Sequence, residues 1–133
     1  MNLLINIVGT TAIGKTALAI VLARHFDTEI LSCDSRQFYR EMSIGTAVPS
    51  CEELAAAPHH FIQHKSIFDT YSVGDFEREV MELLPKLFAL KKLVIMVGGS
   101  GLYNDVILKG LDDFPPIKEG VRESLNTLYK EKG

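Results

Sequence analysis

Gly-Thr-Thr-Ala-Ile-Gly-Lys-Thr, residues 9–16, is the most informative segment of this chain. It matches the phosphate-loop pattern G-x-x-x-x-G-K-[ST] at every fixed position. The apolar run LLINIV at residues 3–8 predicts a strand before the loop, and ALAIVLARHF at residues 17–26 predicts a helix after it. Strand, glycine-containing loop and helix follow in the order that phosphate binding requires, so the segment is predicted to hold a phosphate group.

The chemistry of such a loop comes from its backbone and from two side chains. Glycines let the chain curl until successive N–H groups point at one anion, and the positive end of the helix adds to the same point. Lys15 supplies a charge for the outer phosphate and Thr16 a hydroxyl for Mg²⁺. The pattern alone leaves ATP, GTP and other diphosphates open as ligands. The predicted phosphate-binding residues are Gly9, Thr10, Thr11, Ala12, Ile13, Gly14, Lys15 and Thr16.

Length and composition limit the class of protein. A chain of 133 residues favours one globular domain, and a net charge of −3 gives no support to a broad nucleic-acid-binding surface. Cys33 and Cys51 are too few for a disulfide framework, so buried or incidental thiols are expected. Hydrogen-bonding roles are favoured over a metal site for His59, His60 and His64, because no acidic or Cys ligand sits at a diagnostic spacing. No apolar run approaches the length of a membrane span, so we expect a cytoplasmic protein with no membrane contact, and no stable protein partner is implied.

Strand-like and helix-like segments alternate, which predicts an α/β fold with a P-loop NTPase-like parallel sheet flanked by helices. Only four strands are counted, whereas sheets of this class usually have about five or more, so we expect the N-terminal part of a longer protein. A core with the phosphate site and Asp34 is placed at 1–112, and a linker with the start of a further helical region at 113–133. Residues 41–58 are expected to be irregular, and Pro85 to kink or split its helix. The predicted strands are 3–8, 29–33, 61–62 and 93–97, and the predicted helices are 15–25, 74–91, 102–109 and 118–131.

Three polar clusters follow the ends of predicted strands: the loop at 9–16, Asp34-Ser35-Arg36-Gln37, and Gly98-Gly99-Ser100. Ligands of open parallel sheets bind beyond the carboxyl ends of the strands, so we expect the three clusters to converge in space. In many kinases and ATPases the strand before the third cluster ends in an acidic residue that helps to hold Mg²⁺. Here Val97 is followed by Gly98, and this missing acid argues against an ordinary kinase or ATPase.

Two of these clusters have an ordinary structural alternative. Asp34 is suited to accept a proton, Arg36 to pair with phosphate and Gln37 to read a base edge. The same tetrapeptide also suits a helix cap with solvated neighbours. The run Gly98–Gly101 suits either a second anion site, with the Ser100 hydroxyl facing the reaction centre, or a tight turn that needs positive φ.

Taken together, six blocks of the sequence resemble tRNA dimethylallyltransferases, also called tRNA isopentenyltransferases. The blocks follow the order of the family and cover essentially all 133 residues. They are G-x-T-A-x-G-K-T at Gly9–Thr16, D-S-R-Q-x-Y-R at Asp34–Arg40, M-x-I-G-T-A-x-P at Met42–Pro49, P-H-H-x-I at Pro58–Ile62, Y-S-x-x-D-F at Tyr71–Phe76 and G-G-[TS]-x-L-Y at Gly98–Tyr103. The usual residue of the family is replaced, without loss of a core role, at Ile13, Ser43, Val48 and Gln63.

The resemblance implies a reaction in which dimethylallyl diphosphate donates its dimethylallyl group to the N6 amine of an adenosine next to the anticodon of tRNA. It implies that the loop holds the prenyl diphosphate with Mg²⁺ rather than ATP, which accounts for the missing acid. The target base must leave its helical stack to reach such a site. The implied roles are general base for Asp34, substrate contact for Ser100, metal contact for Thr16, and tRNA binding for Asp34, Ser35, Arg36, Gln37, Ser100 and Arg122.

Two other functions stay open at this point. The short chain also suits a truncated phosphate-binding module without turnover. An adenylate isopentenyltransferase shares the loop chemistry and would use free AMP as its acceptor.

Overall fold

The structure is a computed structural model that describes residues 1–112 and 115–133. Strands and helices alternate in it as the sequence predicts. The strands are β1 (Leu3–Ile7), β2 (Ile30–Ser32), β3 (His59–His60) and β4 (Leu93–Val97). The α-helices are α1 (Lys15–His25), α2 (Cys51–Ala56), α3 (Val73–Leu90), α4 (Gly101–Lys109) and α5 (Val121–Lys132), and a short 3-10 helix covers Ser35–Phe38.

The strands form one parallel sheet in the order β1-β4-β2-β3, which confirms the predicted fold class. β4 lies between β1 and β2, and Val97 pairs with Ile7 on one side and with Ser32 on the other. The three strands therefore end level with one another. This register brings the segments that follow them to one edge of the sheet.

Helices cover both faces of the sheet, as predicted. Val94 and Met96 of β4 pack in the core cluster that includes residues of α3 and α4, whereas Ile95 and Val97 pack in the cluster that includes residues of α1. Successive strand residues point to opposite faces, so an uninterrupted apolar strand fits only a sheet that is buried on both sides. This is why LVIMV forms the centre of the sheet.

The predicted start of α3 is confirmed, whereas the predicted split at Pro85 is not observed. The Ser72 hydroxyl accepts from the N–H of Asp75 while the Asp75 carboxylate accepts from the N–H of Ser72, which is a complete capping box. α3 then runs unbroken through Pro85, so the prediction that proline splits the helix is wrong. Pro85 and Met81, whose carbonyl loses its donor, both lie on the exposed side of the helix, where that carbonyl does not have to be satisfied by the protein.

Two further predictions are corrected within residues 41–63. The expected irregular segment contains α2, whose start is a capping box between Ser50 and Glu53. The third strand lies at His59–His60 instead of 61–62, because pairing with Ile30 and Leu31 of β2 fixes it there and Phe61 already turns away with a φ of 63°.

The C-terminal residues of the chain form an exposed helix. α5 follows Gly120 and buries none of its residues. The predicted boundary between 112 and 113 adjoins Asp113 and Phe114, which lie outside the described residues, so the division into two units stays a prediction. Every helix in the described ranges is too short or too polar to cross a membrane.

Candidate active site

The loop between β1 and α1 has a backbone suited to an anion. Gly14 is the N-cap of α1 and has a φ of 94°, a conformation in which a side chain would be strained. It provides no side-chain cap, so the first N–H groups of α1 are left for a ligand. Ala12 is also left-handed, with a φ of 64°. Backbone N–H groups in such a curl form a concave site for phosphate oxygens.

Lys15 lies at the base of this loop and folds back over it. Its Nζ donates to the carbonyl oxygens of Gly9, at 2.9 Å, and of Thr10, at 2.7 Å. Both acceptors are neutral, so a phosphate oxygen would offer the ammonium group a stronger, charge-assisted bond. The side chain is thus held beside the anion site by bonds that it can exchange for a ligand.

A cavity of about 400 Å³ opens at the shared strand edge. Residues from all three predicted clusters contribute to its wall, so the predicted convergence is confirmed. The cavity is lined by Thr11, Ala12, Gly14, Lys15, Thr16, Ala17, Asp34, Gln37, Ala47, Val48, Glu53, Val97 and Gly98.

The ends of β2 and β4 touch at Gly98. A β-carbon on this residue would lie 2.5 Å from Cys33 Sγ, 2.6 Å from the Cys33 carbonyl carbon and 2.9 Å from Asp34 N. Gly98 does not have positive φ, so the tight-turn alternative is not the reason for this glycine. The reason is the close approach of two backbones, which places Asp34 against the end of β4.

Asp34 has the capping role that the sequence left open, and it also lines the cavity. Its Oδ1 accepts from the N–H of Arg36 at 3.1 Å, so it does cap the 3-10 helix. The residue is half-buried and its side of the cavity faces the loop with Lys15 and Thr16. The cap uses one carboxylate oxygen and fixes the side chain, while the second oxygen can serve a substrate amine.

Ser100 meets the segment after β2 from the other side. Its Oγ accepts from the N–H of Ser35 at 3.1 Å and lies 3.3 Å from Ser35 Oγ. The hydroxyls of Ser35 and Ser100 therefore lie next to each other, and Ser35 is one residue along the chain from Asp34. This contact ties the start of α4 to the 3-10 helix.

Gln37 lines the cavity but its amide is engaged within the protein. The residue is buried, its Oε1 accepts from Ser32 Oγ at 3.1 Å, and its Nε2 donates to the carbonyl oxygens of Ala47 at 2.7 Å and Thr46 at 3.3 Å. These bonds hold the 46–48 segment as a wall of the cavity. Contact between Gln37 and tRNA stays a prediction.

Seven predicted site residues are not among those that line the cavity: Gly9, Thr10, Ile13, Ser35, Arg36, Ser100 and Arg122. Ile13 projects from the loop with 68% of its side chain exposed. Arg36 is exposed beside Asp34, and Arg122 is exposed on α5. Their predicted contacts with ligands stay predictions.

The histidines have the hydrogen-bonding roles that the sequence favoured. His60 Nε2 lies 2.6 Å from Glu29 Oε2, His59 Nδ1 lies 2.8 Å from the carbonyl oxygen of Ala57, and His64 Nε2 lies 3.3 Å from Tyr71 Oη. Burial lowers the pKa of both His59 and His64. Among the described residues no group of three or more His, Cys, Asp or Glu side chains is arranged to hold a metal ion.

Sequence reasoning missed Glu53 as part of the site. It lines the cavity from α2, and its Oε2 accepts from the N–H of Ser50 at 2.8 Å. The signal was present in the sequence, because Ser50 and Glu53 have the spacing of a capping box. Asp34 and Glu53 are the two carboxylates that line the described cavity.

Comparisons with known proteins identify relatives along the whole chain. The tRNA dimethylallyltransferase of Flavobacterium johnsoniae is 61% identical over 133 residues, which are 100% of this chain and 43% of that protein. The tRNA dimethylallyltransferase of Christiangramia forsetii is 61% identical over 132 residues, which are 99% of this chain and 44% of that protein. The chain thus spans less than half the length of the curated relatives that it matches.

Solved structures give the same result for the fold. The full-length tRNA isopentenylpyrophosphate transferase of Bacillus halodurans superposes with a TM-score of 0.80 at 34% identity, covering 100% of this chain and 44% of that one. A eukaryotic dimethylallyltransferase acting on tRNA superposes with a TM-score of 0.80 at 29% identity, covering 98% of this chain and 36% of that one. The family model described as IPP transferase matches residues 37–133. Since that match takes in well over half of the sequence, the chain belongs to the IPP transferase family.

Proposed function

We propose that the chain carries the diphosphate site and the general base of a transferase that moves a dimethylallyl group from dimethylallyl diphosphate to the N6 amine of an adenosine next to the anticodon in tRNA. The observation that carries this proposal is the single cavity in which the loop with Lys15 and Thr16 faces Asp34 and Gly98. Family membership and the names of the relatives support the choice of substrates.

The proposed chemistry uses the two sides of the cavity for opposite charges. As the bond between the allylic carbon and the diphosphate oxygen breaks, the loop N–H groups and Lys15 stabilise the negative charge of the leaving group. The N6 nitrogen bonds to the carbon, and its proton passes to the Asp34 carboxylate. An exocyclic amine is a poor nucleophile, so its position and the removal of its proton both contribute to the rate.

Mg²⁺ fits the oxygen donors of this cavity. Thr16 lines it together with Asp34 and Glu53, and Mg²⁺ is commonly held by one or two protein oxygens, substrate phosphates and water. In our proposal Thr16 holds the ion. Bound there, the ion would neutralise part of the charge on the departing diphosphate.

The test uses the full-length protein with labelled dimethylallyl diphosphate and tRNA, and free AMP as an alternative acceptor. We expect label in the tRNA and none in AMP. Transfer to AMP alone would assign the protein to the adenylate class, and diphosphate binding without any product would make it a binding module.

The general base is tested with Asp34→Asn. Asparagine keeps an acceptor oxygen for the Arg36 N–H but cannot take a proton, so the cap survives and the base does not. We expect transfer to fall by about 10²- to 10⁴-fold while diphosphate binding is retained. Unchanged transfer would remove Asp34 from this role.

A further inference from the structure

Asn104 is a buried polar residue directly behind the strand ends that form the cavity. Only 5% of its surface is exposed, on the inner side of α4. Its Oδ1 accepts from Cys33 Sγ at 3.1 Å, across a separation of 71 residues in the sequence. Its Nδ2 donates to the carbonyl oxygen of Ser100 at 3.2 Å. A buried amide in such a place is stabilised only because these partners satisfy it.

These bonds belong to a hydrogen-bond network that includes both chain neighbours of Asp34. Cys33, on one side of Asp34, is bonded to Asn104, and Asn104 is bonded to the Ser100 carbonyl. Ser35, on the other side of Asp34, is bonded through its N–H to Ser100 Oγ. Both chain neighbours of Asp34 are thus attached to the first turn of α4.

The thiol of Cys33 acts as the donor in this set. Cys33 has no exposed surface. Burial, and then the neighbouring Asp34 carboxylate, raise the pKa of the thiol to about 12, so that the S–H proton is present at neutral pH. The carboxamide oxygen of Asn104 is the acceptor for this proton.

We propose that Asn104 is a positioning residue, which acts through Cys33 and Ser100 to set the distance between the Asp34 carboxylate and the Ser100 hydroxyl. The proposal rests on the proposed function, because that distance matters only if both groups meet the same substrate. The close contact at Gly98 brings the ends of β2 and β4 together. The bonds of Asn104 to Cys33 and Ser100 then fix how the segments after these two strands are oriented. A displacement of about 1 Å between two such groups lowers a rate by about 10²-fold.

Five variants of the full-length protein separate positioning from packing. Asn104→Leu removes both side-chain bonds, Cys33→Ala removes the donor, and Cys33→Ser keeps a donor at the same place. The double variant C33V/N104L replaces the polar pair with an apolar one of similar volume. Val106→Ala is the control, because Val106 is buried on α4 without contributing a side-chain hydrogen bond.

We expect Asn104→Leu and Cys33→Ala to lower kcat for transfer by about 10- to 100-fold with little change in KM for the diphosphate, and Cys33→Ser to restore most of kcat. The double variant should regain stability but not kcat, and Val106→Ala should lose stability but not kcat. A kcat for Asn104→Leu equal to that of the wild type would overturn the proposal. So would a double variant that regains stability and kcat together, since packing alone would then suffice.

An infrared measurement tests the hydrogen bond between Cys33 and Asn104, called the bridge below, without relying on activity. The difference spectrum between wild type and Cys33→Ser isolates the S–H stretch of Cys33, and this band should shift when Asn104 is replaced by Leu. An unshifted band would overturn the bridge whatever the rates are. A wild-type protein that transfers no label would instead overturn the proposed function, and with it the catalytic part of this proposal.

Discussion

The substitution Gly98→Ala tests how closely the ends of β2 and β4 must approach for the site to exist. A methyl group here would meet Cys33 Sγ at 2.5 Å, the Cys33 carbonyl carbon at 2.6 Å and Asp34 N at 2.9 Å. Two of these three atoms belong to the backbone, so a side-chain rotation cannot relieve the contact. The two strand ends must separate, at the point where Cys33 N donates to the Val97 carbonyl oxygen at 2.9 Å.

The size of the effect follows from these distances. Ordinary van der Waals contact for a β-carbon begins at 3.4 Å, so Cys33 and Asp34 must retreat by roughly 0.5–1 Å. Overpacking of this kind costs about 1–3 kcal/mol of the free energy of unfolding. A shift of that size in Asp34 lowers the rate of a reaction that depends on its position by about 10- to 100-fold.

The assay combines urea unfolding with transfer kinetics on the full-length protein. Gly99→Ala is the matched control for stability, since a β-carbon on the next residue meets nothing within 4 Å and its φ is not positive. We expect Gly98→Ala to lose stability and kcat, and Gly99→Ala to keep its unfolding midpoint. If Gly98→Ala unfolds and reacts like the wild type, the close approach of β2 and β4 is not a requirement of the site.

Four smaller predictions follow from the same structure. Lys15→Ala should weaken binding of dimethylallyl diphosphate in calorimetry, because the charge beside the loop is lost. Phe38→Ala should lower the free energy of unfolding in urea by about 3–5 kcal/mol, since this fully buried ring packs on Phe76 with centroids 5.1 Å apart. Ser50→Ala should cost about 1 kcal/mol in the same assay through loss of the α2 cap. Burial lowers the pKa of His59 in the folded protein, so the unfolded chain binds more protons as the pH falls below the ordinary value of 6.5. The free energy of unfolding in urea should therefore decrease as the pH falls below 6.5, and this decrease should be smaller in His59→Gln.

Local patterns were enough to predict the elements that position the phosphate site. β4 and α1 have the predicted bounds, because an uninterrupted apolar strand and a breaker-free helix after Gly14 are strong signals on their own. The convergence of three strand ends could be predicted as well, since a parallel sheet places all its carboxyl ends on one side. What the sequence indicated was therefore the location of the site.

The details inside the site depend on tertiary contacts that a single sequence does not show. β3 lies two residues earlier than predicted because its register is set by β2, and the apolar pair at 61–62 gives no hint of that pairing. Gln37 has an amide suited to a base edge, but the 46–47 carbonyls take its donors in the folded chain. The bond between Cys33 and Asn104 joins residues 71 positions apart, neither of which carries a motif.

The glycine at 98 and the aspartate at 34 are best understood as one feature. A carboxylate at the end of β4 would serve a metal ion, but any side chain there collides with the backbone that carries Asp34. Because residue 98 has no side chain, the carboxylate at these two strand ends is that of Asp34, which follows β2. β2 lies one strand further than β4 from β1 and the phosphate loop. The other carboxylate of the described cavity, Glu53, is bonded to the N–H of Ser50. In the function that we propose, the loop with Lys15 would meet the departing diphosphate on one side of the cavity, and Asp34 would accept the proton of the amine on the other.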